Sequence, residues 1–184
     1  MRLTKKSNPL KPKFPRIQLD KTGHIVDAYT DGGCRDNGHS KSVGAWAYVI
    51  VDRDDDTILH EDSQAAVSCT NNTMELQAVI SCLFYIKHHI PNTSQVLLHM
   101  DSQYVLHGIT TWRKKWIQKN WEGVKNPMYW QILSRLVDEI HNVQYKYVAA
   151  HQKNDKRDTI WNNYVDSMCS QNIKNKQYEN TCIK

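Results

Sequence analysis

Tyr29-Thr30-Asp31-Gly32-Gly33-Cys34 follows a short β-like run, Ile25-Val26-Asp27-Ala28, and carries two adjacent glycines. A carboxylate at the mouth of a strand, ahead of residues that let the backbone turn sharply, is a place to hold a divalent cation. The same Thr-Asp-Gly-Gly string is also ordinary turn chemistry. Which reading applies depends on where the other acids fall.

Outward from that stretch, residues 43–51 (VGAWAYVIV) form a continuous apolar and β-branched run, as expected for a strand buried on both faces. Residues 52–56 contain four Asp and one Arg and read as a hairpin tip, and residues 57–67 read as a weaker strand. Residues 25–67 are therefore expected to be three antiparallel strands. The period then changes. Thr70 can cap a helix whose inner face is Leu76, Val79, Ile80, Leu83 and Ile86, with Pro91 just beyond its end. Gln95 to Met100 (QVLLHM) is a short apolar strand ending at Asp101. Short helices are expected over residues 102–108 and 111–120, and a longer amphipathic one follows Pro127 with Met128, Ile132, Leu133, Leu136, Val137 and Ile140. Residues 143–150 alternate as a last strand, and residues 158–171 read as a helix. This order describes one mixed sheet with helices packed against it, and ligands of such sheets gather outside strand ends. Asp31 and Asp101 both fall there.

The 184 residues suffice for one domain with a proper core. Composition is that of a globular protein, with 40% hydrophobic and 23% charged residues and a mean hydropathy of −0.67. No apolar run approaches the ~18 residues of a membrane span, and the N-terminus lacks the apolar middle of a secretory signal. Five cysteines without a Cys-x-x-Cys pair suggest neither a disulfide framework nor a zinc ribbon. The expectation is an intracellular, reducing compartment, cytoplasm or nucleus, with no membrane association and a monomeric state. Arg2, Lys5, Lys6, Lys11, Lys13 and Arg16 stand unopposed by acids among Pro9, Pro12 and Pro15, so residues 1–24 are expected to be a flexible basic arm. Residues 25–171 then form the folded domain and residues 172–184 a polar tail.

Glu75 lies in the first turns of its helix, four residues before the inner-face Val79, and should point toward the sheet. Asp166 sits in the C-terminal helix. Carboxylates crowded together repel one another, and burial would protonate some of them unless cations neutralise the group. Hard oxygen ligands point to Mg²⁺ or Mn²⁺ rather than zinc. Each acid taken singly could equally be a surface charge.

Tyr29-Thr30-Asp31-Gly32-Gly33-Cys34, Thr70-Asn71-Asn72-Thr73-Met74-Glu75-Leu76 and Asp101-Ser102-Gln103-Tyr104-Val105 closely resemble three landmarks of the type 1 ribonuclease H family. Gly108-Ile109-Thr110-Thr111-Trp112 and the basic segment after it add a fourth. The resemblance runs from about residue 25 to residue 171, in family order. It implies a ribonuclease H-like α/β fold, a five-stranded mixed sheet of order 3-2-1-4-5 flanked by helices. It also implies sequence-nonspecific cleavage of the RNA strand of RNA–DNA hybrids, leaving 5′-phosphate and 3′-hydroxyl ends. By position, Asp31 would bridge two Mg²⁺ ions about 3.5–4 Å apart, for which Mn²⁺ can substitute. Glu75 and Asp101 would complete one site and Asp166 the other.

One departure lies near the C-terminus. The family usually has Gly-His with the last Asp ten residues on; here Ala150-His151 precedes Asp166 by fifteen. Five extra residues are therefore placed in a loop over residues 152–160, with Asp155 and Asp158 as rival ligands. His151 would assist proton transfer or product release, or serve only as a loop residue.

The resemblance further implies a nucleic-acid surface. Trp112, Trp116, Trp121 and Trp130 are interleaved with Arg113, Lys114, Lys115, Lys119 and Lys125, like the basic protrusion of cellular type 1 enzymes. Aromatics at helical spacing are also common in cores. Asn37, Asn71 and Asn72 would read minor-groove edges and ribose hydroxyls, with Gln103 beside them. Thr70 and Asn126 match positions that hold a DNA phosphate, while Ser68 replaces an Arg found there in some relatives. Two alternatives remain at this stage: a hybrid-binding module without catalysis, or another nuclease or integrase of the wider superfamily.

Overall fold

The computed structural model describes residues 25–37, 39, 41–90 and 94–182, with side chains described as far as residue 176. The basic arm at residues 1–24 and Pro91 lie outside the described residues. Five strands form one sheet in the order β3-β2-β1-β4-β5: β1 Ile25–Arg35, β2 Val43–Asp52, β3 Ile58–Val67, β4 Gln95–Met100 and β5 Val143–Tyr147. The pairs β1–β2 and β2–β3 are antiparallel, whereas β1–β4 and β4–β5 are parallel. The sheet order and the antiparallel three-stranded start match the expectations from sequence.

Helices cover both faces. Helix α1 (Asn71–His89) and helix α4 (Pro127–Glu139) pack on one face with Val26, Ala28, Leu98 and Met100, in a core that also takes Leu76, Val79, Leu83, Ile86, Trp130 and Leu133. Helix α5 (Arg157–Cys182) covers the other face through Trp161, Val165, Cys169 and Ile173, against Tyr29, Ala47 and Val49. Helix α1 starts where the sequence indicates: the Thr70 hydroxyl accepts from the Thr73 amide and the Thr73 hydroxyl from the Thr70 amide, a reciprocal cap.

Three expectations need correction. Gly32 and Gly33 do not turn the chain; β1 runs straight through them to Arg35. Gly32 instead allows a close approach, since a Cβ there would lie 2.3 Å from the Glu75 amide nitrogen and the Met74 carbonyl carbon. The two short helices expected around residues 102–120 are one winding path, α2 (Gln103–His107), a π-helical turn Gly108–Trp112 and α3 (Arg113–Gln118). Gly108 faces Trp130 so closely that a Cβ would meet its ring at 1.8 Å, and the widened turn lies where the helix presses on that indole. Finally, the polar tail placed at residues 172–184 is helical to Cys182. Ile173 continues the Val165, Cys169 stripe into the core at 6% exposure, and Asn172 donates to the Ser63 hydroxyl at 2.8 Å. The folded unit therefore extends past residue 171.

Gly32→Ala should cost about 1–3 kcal/mol of stability in urea unfolding, because backbone atoms of α1 rather than a flexible side chain must yield. An unchanged midpoint would mean that α1 does not sit against β1 as described.

Candidate active site

The parallel register of β1 and β4 ends at Thr30 opposite Met100. Asp31 and Asp101 are the next residue on each chain, so two carboxylates stand side by side at the edge of the ladder. Glu75 comes from above: the cap at Thr70 fixes the first turn of α1, and the missing Cβ of Gly32 lets the second turn settle on the strand. One carboxylate oxygen from each of Asp31, Glu75 and Asp101 lies within 4.8 Å of the others.

Burial and mutual repulsion set the electrostatics. Asp31 is 8% exposed, and desolvation, aided by the charges of Asp101 and Asp166, pushes its pKa from 3.8 up to about 7. Desolvation, with Asp31 and Asp101 adding to it, pushes Glu75 well above its ordinary value. Asp101 is also raised by burial, although the Asn162 amide, 3.4 Å from its Oδ2, offsets part of this. Glu75 Oε2 is buried with no hydrogen-bond partner among the described residues. An orphaned carboxylate oxygen beside two other acids is chemistry suited to a hard divalent cation.

Asp166 does not belong to this close group. It lies on α5, half-exposed, with its Oδ2 3.8 Å from His151 Nδ1, and is near enough to raise Asp31 and Asp101 by its charge. His151 is largely exposed and adopts a left-handed backbone, φ 52°. Of the rival acids, Asp158 is turned elsewhere: it accepts from the Tyr29 hydroxyl at 2.9 Å and from Lys146 at 2.8 Å. Asp155 lines a separate cavity of about 310 Å³ with Lys153, Ile160 and Tyr164. Part of the segment assigned to the enlarged loop is helical, because α5 starts at Arg157.

Around the acids, Asn37 Oδ1 accepts from the Asn71 amide at 3.0 Å, tying the turn after β1 to the start of α1. Asn37, Asn71, Asn72 and Gln103 are exposed, and Thr70 is half-buried in its capping role. Asn126 has a left-handed backbone at the start of α4, its amide 3.5 Å from the Tyr104 hydroxyl. Lys114 and Lys115 are exposed. Arg113 is different: its guanidinium turns inward to the Ser134 carbonyl and hydroxyl, both at 3.1 Å, and to Asp138. It braces α3 on α4 and is withdrawn from any phosphate. Trp130 is fully buried and donates to the Tyr104 hydroxyl at 2.8 Å, and Trp116 packs edge-on against it. Trp112, at 37% exposure, is more accessible than Trp116 and Trp121, which are both half-buried.

A family model described as RNase H matches residues 24–174. The chain is 37% identical over 134 residues to a protein named Ribonuclease H from Orientia tsutsugamushi, covering 70% of this chain and 73% of that one. It is 34% identical over 152 residues to another of that name from Thiobacillus denitrificans, covering 78% and 95%. Among solved structures, it resembles LC9-RNase H1, described as a type 1 RNase H with the type 2 active-site motif, with a TM-score of 0.70 at 24% identity over 85% of this chain and 75% of that one. It also resembles LC11-RNase H1 in complex with an RNA/DNA hybrid, with a TM-score of 0.60 at 20% identity over 83% and 99%.

Raised carboxyl pKa values make a testable signature. Groups whose folded pKa exceeds the unfolded value near 4 contribute stability below that pH, and the contribution is lost as pH rises through the folded value, about 7 for Asp31. In chelator, the melting temperature should therefore fall between roughly pH 4 and 7 more steeply than in Asp31→Asn. Excess Mg²⁺ should restore it at neutral pH. Parallel slopes for the two proteins would contradict this account of the pocket.

Proposed function

The chain belongs to the type 1 ribonuclease H family, and from that premise we propose that it is a metal-dependent endoribonuclease cutting the RNA strand of RNA–DNA hybrids. The observation that carries the reading is the convergence of Asp31, Glu75 and Asp101 at the edge of the β1–β4 ladder, with Asp166 alongside. A relative in the same fold is described in complex with an RNA/DNA hybrid.

The donor set fits Mg²⁺, with Mn²⁺ as a substitute: all the candidate ligands are carboxylate oxygens, one of them, Glu75 Oε2, without a hydrogen-bond partner among the described residues. Asp31, Glu75 and Asp101 would hold one ion, and Asp31 with Asp166 a second. When bound, the pair supplies charge neutralisation at the entering and departing oxygens of an in-line displacement at phosphorus. The protein's own residues do the rest. The three carboxyl groups, all raised by burial, would have to be ionised to hold a cation, so metal affinity should weaken as pH falls, for Asp31 through about 7. Asn162, holding Asp101 through its amide, limits that carboxylate's rotation. His151, exposed and 3.8 Å from Asp166, is placed to give a proton to the departing 3′ oxygen or to help release the product.

The substrate lies across α1's first turn and the α2–α3 segment. Asn37, Asn71, Asn72 and Gln103, exposed beside the acids, contact the groove and ribose hydroxyls, where a hybrid differs in shape from duplex DNA. Thr70 and Asn126 hold a phosphate of the DNA strand. Lys114 and Lys115 add sequence-independent charge, and the outer indoles Trp112 and Trp116 pack on sugar or base. The same reading takes the enzyme as a monomer of a reducing intracellular compartment, on its cysteine usage and composition.

Two experiments test this. With a labelled hybrid and Mg²⁺, the protein should release fragments with 5′-phosphate ends, and Asp31→Asn should lower kcat by about 10³-fold or more. Hybrid binding without cutting would instead make it a binding module. Replacing Lys114 and Lys115 together by Ala should raise KM and flatten the salt dependence of binding by up to ~2 in log–log slope, with kcat little changed.

A further inference from the structure

Four residues before Asp31 on β1, and on the same face of the sheet, lies a second acid that the chemistry does not use. Asp27 is fully buried. Arg53 donates to it from Nε at 2.8 Å, His99 from Nε2 at 2.8 Å, and Arg157 from its guanidinium. Burial alone would raise this carboxyl, but those three donors outweigh it and hold it far below the ordinary range. Arg157 also donates to Asp56 at 2.6 Å, to the Tyr29 hydroxyl at 3.3 Å and to the Asp52 carbonyl at 3.3 Å. Asp158 accepts from Tyr29 and Lys146, and its Oδ1 lies 3.7 Å from His99 Nδ1. The Trp161 indole N–H donates to Asp56 at 3.1 Å. Asp27, Asp56 and Asp158 are thus matched by Arg53, Arg157 and Lys146, and the His99 and Tyr29 rings stack at 4.3 Å between them.

The strand-side partners in this group come from β1, β4, β5, the last residue of β2 or the β2–β3 turn, while Arg157, Asp158 and Trp161 are the first turns of α5. Asp166 follows on the same helix, eight residues after Asp158, or about 12 Å along its axis. Beyond it, Val165, Cys169 and Ile173 anchor the helix in the core. Asp166 therefore lies on a rod pinned at both ends, and the ionic end sits between it and the loop that carries His151. The close triad holds without Asp166, so the placement of α5 decides whether a fourth carboxylate stands beside it.

We propose that Arg157, through its contacts to the buried Asp27 and the half-buried Asp56, is a positioning residue for Asp166: the clamp at the start of α5 sets the reach of that carboxylate toward the Asp31–Glu75–Asp101 group. The proposal rests on the reading of those four acids as the metal-holding set. It predicts a coupling that general loosening of the fold would not produce.

The test is a double-mutant cycle read in two ways, by Mn²⁺ binding in calorimetry and by the Mg²⁺ dependence of hybrid cleavage. Arg157→Gln should weaken the Asp166-dependent Mn²⁺ affinity about tenfold, as the loss of outer-shell support does at metal sites. It should raise the Mg²⁺ needed for half-maximal rate by a similar factor, with KM for the hybrid within about twofold, and Arg157→Lys should recover part of the loss. In an Asp166→Asn background the same substitution should change Mn²⁺ affinity less than twofold. An equal loss in both backgrounds, or none in either, overturns the proposal. Should Arg157→Gln fail to fold by circular dichroism, Asp158→Asn, which removes the milder half-exposed end of the clamp, carries the same cycle. A wild-type protein that binds Mn²⁺ but leaves hybrids intact would defeat the functional reading, while the Mn²⁺ cycle would still decide this one.

Discussion

Three carboxylates held together away from water repel one another, and the architecture of this protein is arranged around that repulsion. At an effective dielectric of about 20, two ionised groups 4.8 Å apart cost roughly 3.5 kcal/mol. Three such pairs would consume most of the 5–15 kcal/mol by which an ordinary domain is stable. The pocket therefore retains protons or accepts cations. The β1–β4 register sets Asp31 beside Asp101, the bare backbone at Gly32 admits α1 and Glu75, and the two helical layers keep the walls from relaxing.

The same strand shows the opposite solution two repeats of the pleat away. Asp27 and Asp31 are both buried on the α5 side of β1. Asp27 is neutralised by fixed arginines from the β2–β3 turn and from α5, and its pKa falls; Asp31 is desolvated beside other acids, with only the Cys169 thiol and the Gly32 backbone to offset this, and its pKa rises. A carboxylate with permanent partners is structural cement, whereas one denied them stays available to an exchangeable ion. The contrast between two Asp residues on one strand is a sharper indication of a metal-holding role than burial alone.

Much of this was legible in the sequence, for identifiable reasons. Helix α1 was readable because Thr70 caps it and its apolar residues recur at helical spacing; β2 and β4 were readable as uninterrupted apolar runs. The triad was found through motif resemblance, since no periodicity says that residues 31, 75 and 101 meet. Gly32-Gly33 misled because a glycine needed for a turn and one needed for close approach look alike until the approaching helix is known. Arg113, surrounded by lysines, gave no sign that it would turn inward to Ser134 and Asp138. The start of α5 was legible to within one residue, at 158 against Arg157, but its ionic contacts were hidden because Arg157 finds Asp27 across 130 residues. Its continuation past residue 171 did have a signal, the four-residue spacing of Val165, Cys169 and Ile173, which the polar residues between them obscured.

The central strand pairs early with β2 and late with β4, Thr30 reaching its partner only at Met100. On the ribosome, where a chain emerges from its N-terminus, that order has a temporal meaning. The first three strands can associate while the acid they present still faces open water, since its neighbour across the parallel ladder has not been made. Any nascent intermediate that has not yet reached Asp101 therefore lacks the pair of carboxylates at the ladder edge, and the site cannot assemble before β4 has been made.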